Sequence, residues 1–580
     1  MKMILKMVCG LVLLVSLAAG CTKHTDPPLT LPPGTINNTP SSAGGVRLLH
    51  LSHRGYYVAG SVATFPPVTS MDIAINGRRL TTFVNNVRGP SGPTPWFPQG
   101  KLTYGSQYVL PDSLFDPQGN ADLQLYYVAA KKNYGPGGSY TGALFVDSLA
   151  LQFDLPVHTD PLAPQDVYIY DIMTADPPSG AQDPNYRDAV FTTPKSVFPS
   201  SDPTKFRLRV LNLGAKAYPS VYDRISLCYA DGSPVSEKLQ NVVFQQATDY
   251  IELPYGNYMF RLKDQSDNFM EGSSNNGQVA LNPDGTIVGY PGLGYTPIYF
   301  FQPGGVYTIV STWDFYEPDA TSGIHFDLPG YRVIKDNTPP VNSNYIRIQG
   351  VDAVPGVSNL HFTVDGQPLD GFLQLGGSSA QGIFSIGPHQ LQALDGNGSL
   401  LAQQLLPNTE PLDNLTCWAY KKDGVVQLLL TSNNMSLANL GVQNSSDPTL
   451  ITYIAYGFTC RFLNFSDIPA VSFLDSSGNF GPYSSPDAYQ HLGIGVTPAE
   501  NATINIPFGI GSYAKSITTY NSPAGELPGT PLLTADHPLL INRALYSGHT
   551  LPAAEPGVWS VALIGTAAGG LKLISIRHNL

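Results

Sequence analysis

Four stretches of this chain set an arginine second in an otherwise apolar run: VRLLHLS from Val46, FRLRVLNLG from Phe206, IRIQGVDA from Ile346 and CRFLNFSD from Cys460. Apolar residues at alternate positions suit a strand, because successive side chains there point to opposite faces. A second alternating stretch closed by a turn ends 17 to 30 residues beyond each arginine: MDIAING at Gly77, ISLCYADG at Gly232, LHFTVDG at Gly366 and VSFLDSSG at Gly478. Asn-Gly and Asp-Gly supply the positive φ angles that tight hairpins require.

Three stretches then place proline or glycine between apolar runs: IELPYGNYMFRLKD from Ile251, FSIGPHQLQALD from Phe384 and INIPFGIGSYAKSITTY from Ile504. That order predicts a strand, a corner and a return strand. Closing hairpins follow in LTCWAYKKDGVVQLLLT from Leu415 and VWSVALIGTAAGGLKLISI from Val558. Four diverged repeats of one supersecondary pattern are therefore expected. No stretch longer than two turns combines capping residues with helical apolar spacing.

The expected class is all-β: tandem antiparallel β-sandwich modules of immunoglobulin-like or transthyretin-like kind. The divisions expected are a signal peptide at 1–20, a lipidated cysteine and flexible tether at 21–44, and modules at 45–174, 205–335, 344–450 and 451–580. Linkers are expected at 175–204 and 336–343, where ADPPSGAQDPNY and DNTPPVNSN are rich in Pro, Asp, Asn and Ser. Each module is expected to fold on its own. Charged residues make up only 13 % of the chain, while 57 Gly and 51 Pro, 32 Tyr and 25 Phe favour short strands joined by many turns.

The N-terminus predicts location. Lys2 and Lys6 precede an apolar run from Met7 to Leu17, then Ala18, Ala19, Gly20 and Cys21. This is the charged, apolar and small-residue order of an export signal, and the run is short for a membrane-spanning helix, which needs ~20 apolar residues. LAAGC resembles the lipobox of bacterial lipoproteins, which implies cleavage before Cys21 and lipid attachment to its thiol, with Ala18 standing where leucine is commoner. Thr22 to Ser42, with five prolines among polar residues, reads as a tether. The expectation is a lipoprotein anchored in the outer membrane, on its periplasmic or its cell-surface face, with the membrane as partner through Cys21.

The opening strand Val46, Arg47, His50 and Ser52, followed by MDIAING and closed by VWSVALIGT and GLKLISI, resembles domain of unknown function 4397, a β-sandwich module of secreted and lipid-anchored bacterial proteins. Phe206, Arg207 and Asn212 match that opening less closely. The resemblance implies a fold and an extracytoplasmic setting; it brings no catalytic residue. Modules after a lipobox and a short tether also look like those of adhesion and glycan-capture lipoproteins, so a glycan or an envelope protein is the expected partner.

Chemistry is sparse in the sequence. A formal charge of −12 and the lack of a basic cluster exclude a nucleic-acid footprint. His50 and His53 fall on opposite faces of a strand, and no Cys/His cluster or HExxH occurs, so neither a metal nor another cofactor is expected. DGNGS from Asp395 and DPQGNAD from Asp116 alternate oxygen ligands like calcium loops but lack the closing Glu, so turns are expected. Without a nucleophile elbow or phosphate loop the chain is read as non-enzymatic, with a hydrolase of unrecognised site, or a purely structural stalk, as alternatives. The repeated arginines are read as laying their stems along the sheet and pairing with an acid or a backbone carbonyl, not as ligand clamps. Cys228, Cys417 and Cys460 are read as small buried hydrophobes, with a Cys417–Cys460 bridge as the rival. Trp96 and the tyrosines of GYPGLGYTPIYF from Gly289 are the aromatic binding candidates; Trp418 and Trp559 are expected in the core.

Overall fold

The computed structural model describes residues 45–51, 71–79, 107–110, 112–134, 140–160, 162–173, 186–214, 223–270, 280–281, 287–288, 299–316, 326–337, 344–369, 371–433, 458–475, 489–497, 504–505, 516–536, 551–552 and 557–579. Within them the chain is strands and turns, with two short 3-10 turns at Asp112–Leu114 and Glu237–Leu239. The strands form four two-sheet sandwiches in tandem, the all-β architecture expected.

The first sandwich has eight strands in chain order: Val46–Leu51, Met71–Ile75, Arg78–Arg79, Gln107–Val109, Asn120–Tyr134, Tyr140–His158, Gln165–Met173 and Tyr186–Pro194. They make one sheet of order 4-1-7-8 and a second of order 3-2-5-6. The third sandwich repeats both orders with Tyr345–Ala353, His361–Val364, Gln367–Pro368, Gly382–Ser385, His389–Leu394, Leu400–Leu406, Asn414–Lys422 and Val425–Ser432. The fourth does so again with Phe458–Ser466, Ala470–Asp475, Leu492–Gly493, Ile504–Asn505, Ser516–Asn521, Thr530–Asp536, Gly557–Thr566 and Gly570–Arg577. In the second, Ile251–Pro254, Lys205–Asn212, Val306–Tyr316 and Phe326–Lys335 give the 4-1-7-8 sheet, and Val242–Val243, Arg224–Cys228 and Arg261–Lys263 its 3-2-5 counterpart.

Each arginine-bearing run is strand 1, and in all four sandwiches it pairs in parallel with strand 7. The 4-1-7-8 sheets are therefore mixed, while the 3-2-5-6 sheets are antiparallel as expected. An immunoglobulin sandwich groups its strands as ABED and CFG, which this order is not, leaving the transthyretin-like alternative. In the second and third sandwiches the Pro/Gly corners carry the chain from one sheet to the other. Gly382–Ser385 pairs with strand 1, and His389–Leu394, just past Gly387 and Pro388, pairs with strand 2. Asn76–Gly77, Asp365–Gly366 and Asp423–Gly424 all have positive φ, as their hairpins demand.

Alternation then divides the side chains of strand 1. Val46 and Leu48 enter the core of their own sandwich with Leu123, Val167 and Ile169. Leu49 and Leu51 lie on the opposite face and join Tyr168, Tyr170, Leu211, Leu213, Val310 and Ile334 in a cluster shared with the second sandwich. The third and fourth sandwiches are joined the same way: Val351, Ala353, Trp418 and Tyr420 pack on Leu463, Phe465, Ala562, Ile564, Ile574 and Ile576. Strands 1 and 7 of the 4-1-7-8 sheet are thus buried on both faces, whereas the modules were expected to fold independently.

Two expected linkers change accordingly. Tyr186–Pro194, inside the expected linker 175–204, is a strand with nine residues in register against Gln165–Met173. The Pro- and Asp-rich stretch just before it reads as a connector, but the ladder with its partner sets this segment as a strand. At the start of the expected linker 336–343, Asp336 and Asn337 are buried. Cys228, Cys417 and Cys460 are free and buried, which excludes the Cys417–Cys460 bridge; Cys417 and Cys460 fill the cores of different sandwiches.

Because Trp418 is buried where two sandwiches meet, Trp418→Ala should cost about 3–5 kcal/mol and lower the melting of both together. Calorimetry in which the third sandwich shifts while the fourth keeps its transition would refute a shared core.

Candidate functional site

The polar side chains that a site would use collect in the seams between sandwiches. Arg47 projects from strand 1 into the first seam. Its Nε and Nη2 donate to Asp166 at 2.8 and 2.5 Å, Nη2 also donates to Asp336 at 2.8 Å, and Nη1 donates to the Lys335 carbonyl at 2.7 Å. Asp166 belongs to the adjacent strand 7, whereas Lys335 and Asp336 end the second sandwich. Lys195 Nζ lies 3.1 Å from Asp166 as an ionic contact without hydrogen-bond geometry.

The second sandwich answers with Arg209, whose Nε donates to Thr308 and Nη1 to the Pro194 carbonyl of the first. Tyr250 and Thr308 donate their hydroxyls to Asp336 at 2.9 and 2.5 Å, and Tyr168 donates to Asp166. The Tyr250 ring also lies under the guanidinium groups of Arg207 and Arg209. Burial alone penalises the Asp166 carboxylate, but the attraction of Arg47 and Lys195 outweighs it and holds that carboxyl well below the usual range. Burial and the nearby Arg47 charge push the Lys195 ammonium down.

The other repeated arginines also bridge units. Arg207 donates to the Ser196 hydroxyl and the Phe198 carbonyl in the connection between the first two sandwiches. Arg347 of the third donates to the Tyr255 carbonyl of the second, and Arg461 of the fourth to the Ser432 carbonyl of the third. Gly256 makes room for the Arg347 guanidinium, which would collide with any Cβ there. The expected pairing with acids or carbonyls is what the structure shows; nothing in the local residues signals that the acceptors sit in a neighbouring unit. Burial lowers the pKa of Arg347, and that of Arg461 to about 10, because carbonyl oxygens rather than carboxylates receive their guanidinium groups.

The second large seam holds a neutral network. His578 Nε2 lies 2.8 Å from Ser560 Oγ, and its Nδ1 lies 3.2 Å from Thr416 Oγ1 and 3.4 Å from Gln349 Oε1. A serine, a histidine and an orienting acceptor are the parts of an acyl-transfer centre. All four are buried, leaving no room for a substrate carbonyl at the hydroxyl, and burial lowers the imidazole to about 3. The arrangement joins two sandwiches instead, since His578 and Ser560 belong to the fourth and Thr416 and Gln349 to the third; within the third, Thr416 also accepts from Asn433 and the Trp418 indole donates to Thr431.

Cys21, Trp96, His53 and residues 289–298 lie outside the described residues, and of His50 only the backbone is described. Among the described residues no group of His, Cys, Asp and Glu could hold a metal ion. Asp395 and Asp116 cap turns as expected. Asp395 accepts from the Asn397 and Ser399 amides, and Asp116 from those of Gln118 and Asn120. Asp264 does the same with Ser266 and Asn268. The three share an aspartate followed four residues later by Asn or Ser, with positive φ between at Gly119, Asp267 and Gly398. This turn is a repeat signal in the sequence that the strand pattern alone does not reveal. Trp418 and Trp559 are buried as expected, although Trp418 faces the seam and Trp559 its own core.

Removing one partner of a buried ion pair strands the other charge, so Asp336→Asn should destabilise by about 3–5 kcal/mol, whereas Lys195→Met should be neutral or stabilising. Urea titrations in which the two substitutions cost the same would contradict the assignment. His578 has a folded pKa below its unfolded value of about 6.5, so protons favour the unfolded chain: its contribution is complete above that value and is lost as pH falls towards 3. Wild type should therefore lose on the order of 1.4 kcal/mol per pH unit relative to His578→Gln between pH 6 and 4.5. Parallel stability curves for the two proteins would sink this reading.

No family model matches the chain, and no curated protein matches it. Among solved structures, the Bacillus anthracis TIE protein is similar at 10 % identity and a TM-score of 0.11, covering 81 % of this chain; this chain spans 66 % of the length of that one. A Bacteroides fragilis protein described as a candidate cell adhesion protein is similar at 11 % identity and a TM-score of 0.12, over 67 % of this chain and 97 % of that one. At TM-scores this low neither likeness bears on what the chain does.

Proposed function

We propose that this chain is a non-enzymatic lipoprotein of the bacterial cell envelope, tethered to the outer membrane through lipid on Cys21, with its sandwiches acting as spacer and binding units for a glycan or an envelope protein. The observation that carries the proposal is the order of Lys2, Lys6, the apolar run and LAAGC, followed by a proline-rich tether. Among the described residues no helix is long and apolar enough to cross a membrane, which leaves the lipid as the anchor in this reading. The divergent strand-1 signatures fit the resemblance to domain of unknown function 4397. The seams favour the spacer role in particular, because cores shared between sandwiches stiffen the junctions along a tethered chain.

Cys21→Ser should leave the chain uncleaved or in the aqueous phase of a detergent partition, while wild type enters the detergent phase, since stable anchoring takes more than one acyl chain. Identical partitioning of the two would overturn the anchor. Retention on immobilised envelope polysaccharides would support the binding role over a stalk, and turnover of any of them would replace it with a hydrolase.

A further inference from the structure

One flank of the third sandwich differs from its counterparts. Leu400–Leu406 (LLAQQLL) and Val425–Ser432 (VVQLLLTS) are the outer strands of its two sheets, paired on one side only among the described strands. Neither contains a charged residue or a proline. The equivalent strands elsewhere all do: Tyr140–His158 carries Asp147, Asp154 and Pro156, Tyr186–Pro194 carries Arg187 and Asp188, and Phe326–Lys335 carries Asp327, Pro329 and Arg332. In the fourth sandwich Thr530–Asp536 has Pro531 and Asp536, and Gly570–Arg577 has Lys572 and Arg577. Charges and prolines on an outer strand block pairing with another chain, and this flank lacks both. It also leaves apolar side chains in water, with Leu405 and Val425 each 60 % exposed and Leu400 49 %.

We propose that this flank docks a second copy of the chain, with Val425–Leu430 pairing antiparallel with the same strand of its mate about a two-fold axis. Strand 8 is the one to pair because its register against Asn414–Lys422 is unbroken, whereas that of Leu400–Leu406 shifts near Leu400. An outer strand is complementary to itself under such an axis, since each free amide and carbonyl meets its own counterpart. Charge does not oppose the pairing at this place: two chains of formal charge −12 repel over most of their surface, but neither outer strand of this flank carries a charged side chain. The area is small: six paired residues at ~3.4 Å and sheets ~10 Å apart give a face of roughly 200 Å², below the ~800 Å² per partner of a standard interface. Association is consequently weak in solution and rises when copies share a membrane, a step that rests on the lipid anchor proposed above.

Sedimentation equilibrium of the unlipidated Cys21→Ser chain tests the flank apart from the anchor. The average mass should climb reversibly towards that of a dimer between ~10 µM and ~1 mM. The double substitution Leu405→Lys, Val425→Lys should hold the chain monomeric with its thermal melt unchanged, and Leu162→Lys, at an exposed leucine of the first sandwich, should leave the dimer intact. A wild-type chain that stays monomeric at ~1 mM, or a dimer that survives both lysines, would overturn the proposal.

Discussion

Strand 1 is central in a sheet that is buried on both faces, and most of what distinguishes this chain follows from that. A strand facing water on one side can place polar residues there at little cost. A doubly buried one must fill both faces with apolar groups or satisfy every polar group it carries. Arg47 meets the second condition with two carboxylates and a carbonyl, and the guanidinium suits this because its donors fan out in a plane that can meet several acceptors at once. The arginine is therefore the polar residue that lets the outer face of strand 1 press against another folded unit.

The two large seams solve the same problem with different chemistry. The first carries Arg47, Lys195 and Arg209 against Asp166 and Asp336, and burial together with the Arg47 charge lowers the affinity of Lys195 for its proton. In the other seam the donors and acceptors on Gln349, Thr416, Ser560 and His578 are uncharged, and they share an apolar surround built on Trp418 and Phe465 with the Arg461 guanidinium. A charged seam fixes geometry at a high desolvation cost, whereas a neutral one tolerates a less exact fit. Arg347 and Arg461 lie between these limits, with carbonyl oxygens as acceptors.

The sheet architecture was legible because alternation and glycine turns act over a few residues. VRLLHL, IRIQGVDA and their counterparts declare strands without reference to anything distant, and Asn76–Gly77 declares a hairpin. Parallel pairing with strand 7 was not legible, because it joins residues such as Arg47 and Asp166, 119 positions apart. Asp336 shows the same limit more sharply. DNTPPVNSN reads as a solvated connector, and only the distant Arg47, Tyr250 and Thr308 give its first residue buried partners. Of the candidate site residues, the arginines could be assigned a pairing role from their apolar neighbours. The grouping of Ser560, His578, Thr416 and Gln349 could not, since it depends on how two sandwiches meet.

Parallel pairing of strands 1 and 7, with strand 8 running back beside strand 7, brings the chain in and out at the same end of each sandwich. Val46, Gln165 and Pro194 stand in one row across the first sheet. Tension applied to the two ends of the chain would thus pass across the neck of each sandwich and leave its body largely unloaded. The bonds that lie across that path are those of Arg209 to Pro194 and of Arg461 to Ser432. Under a mechanical pull the sandwiches would part from one another at these arginines before their own cores opened, so extension would come in steps set by the seams.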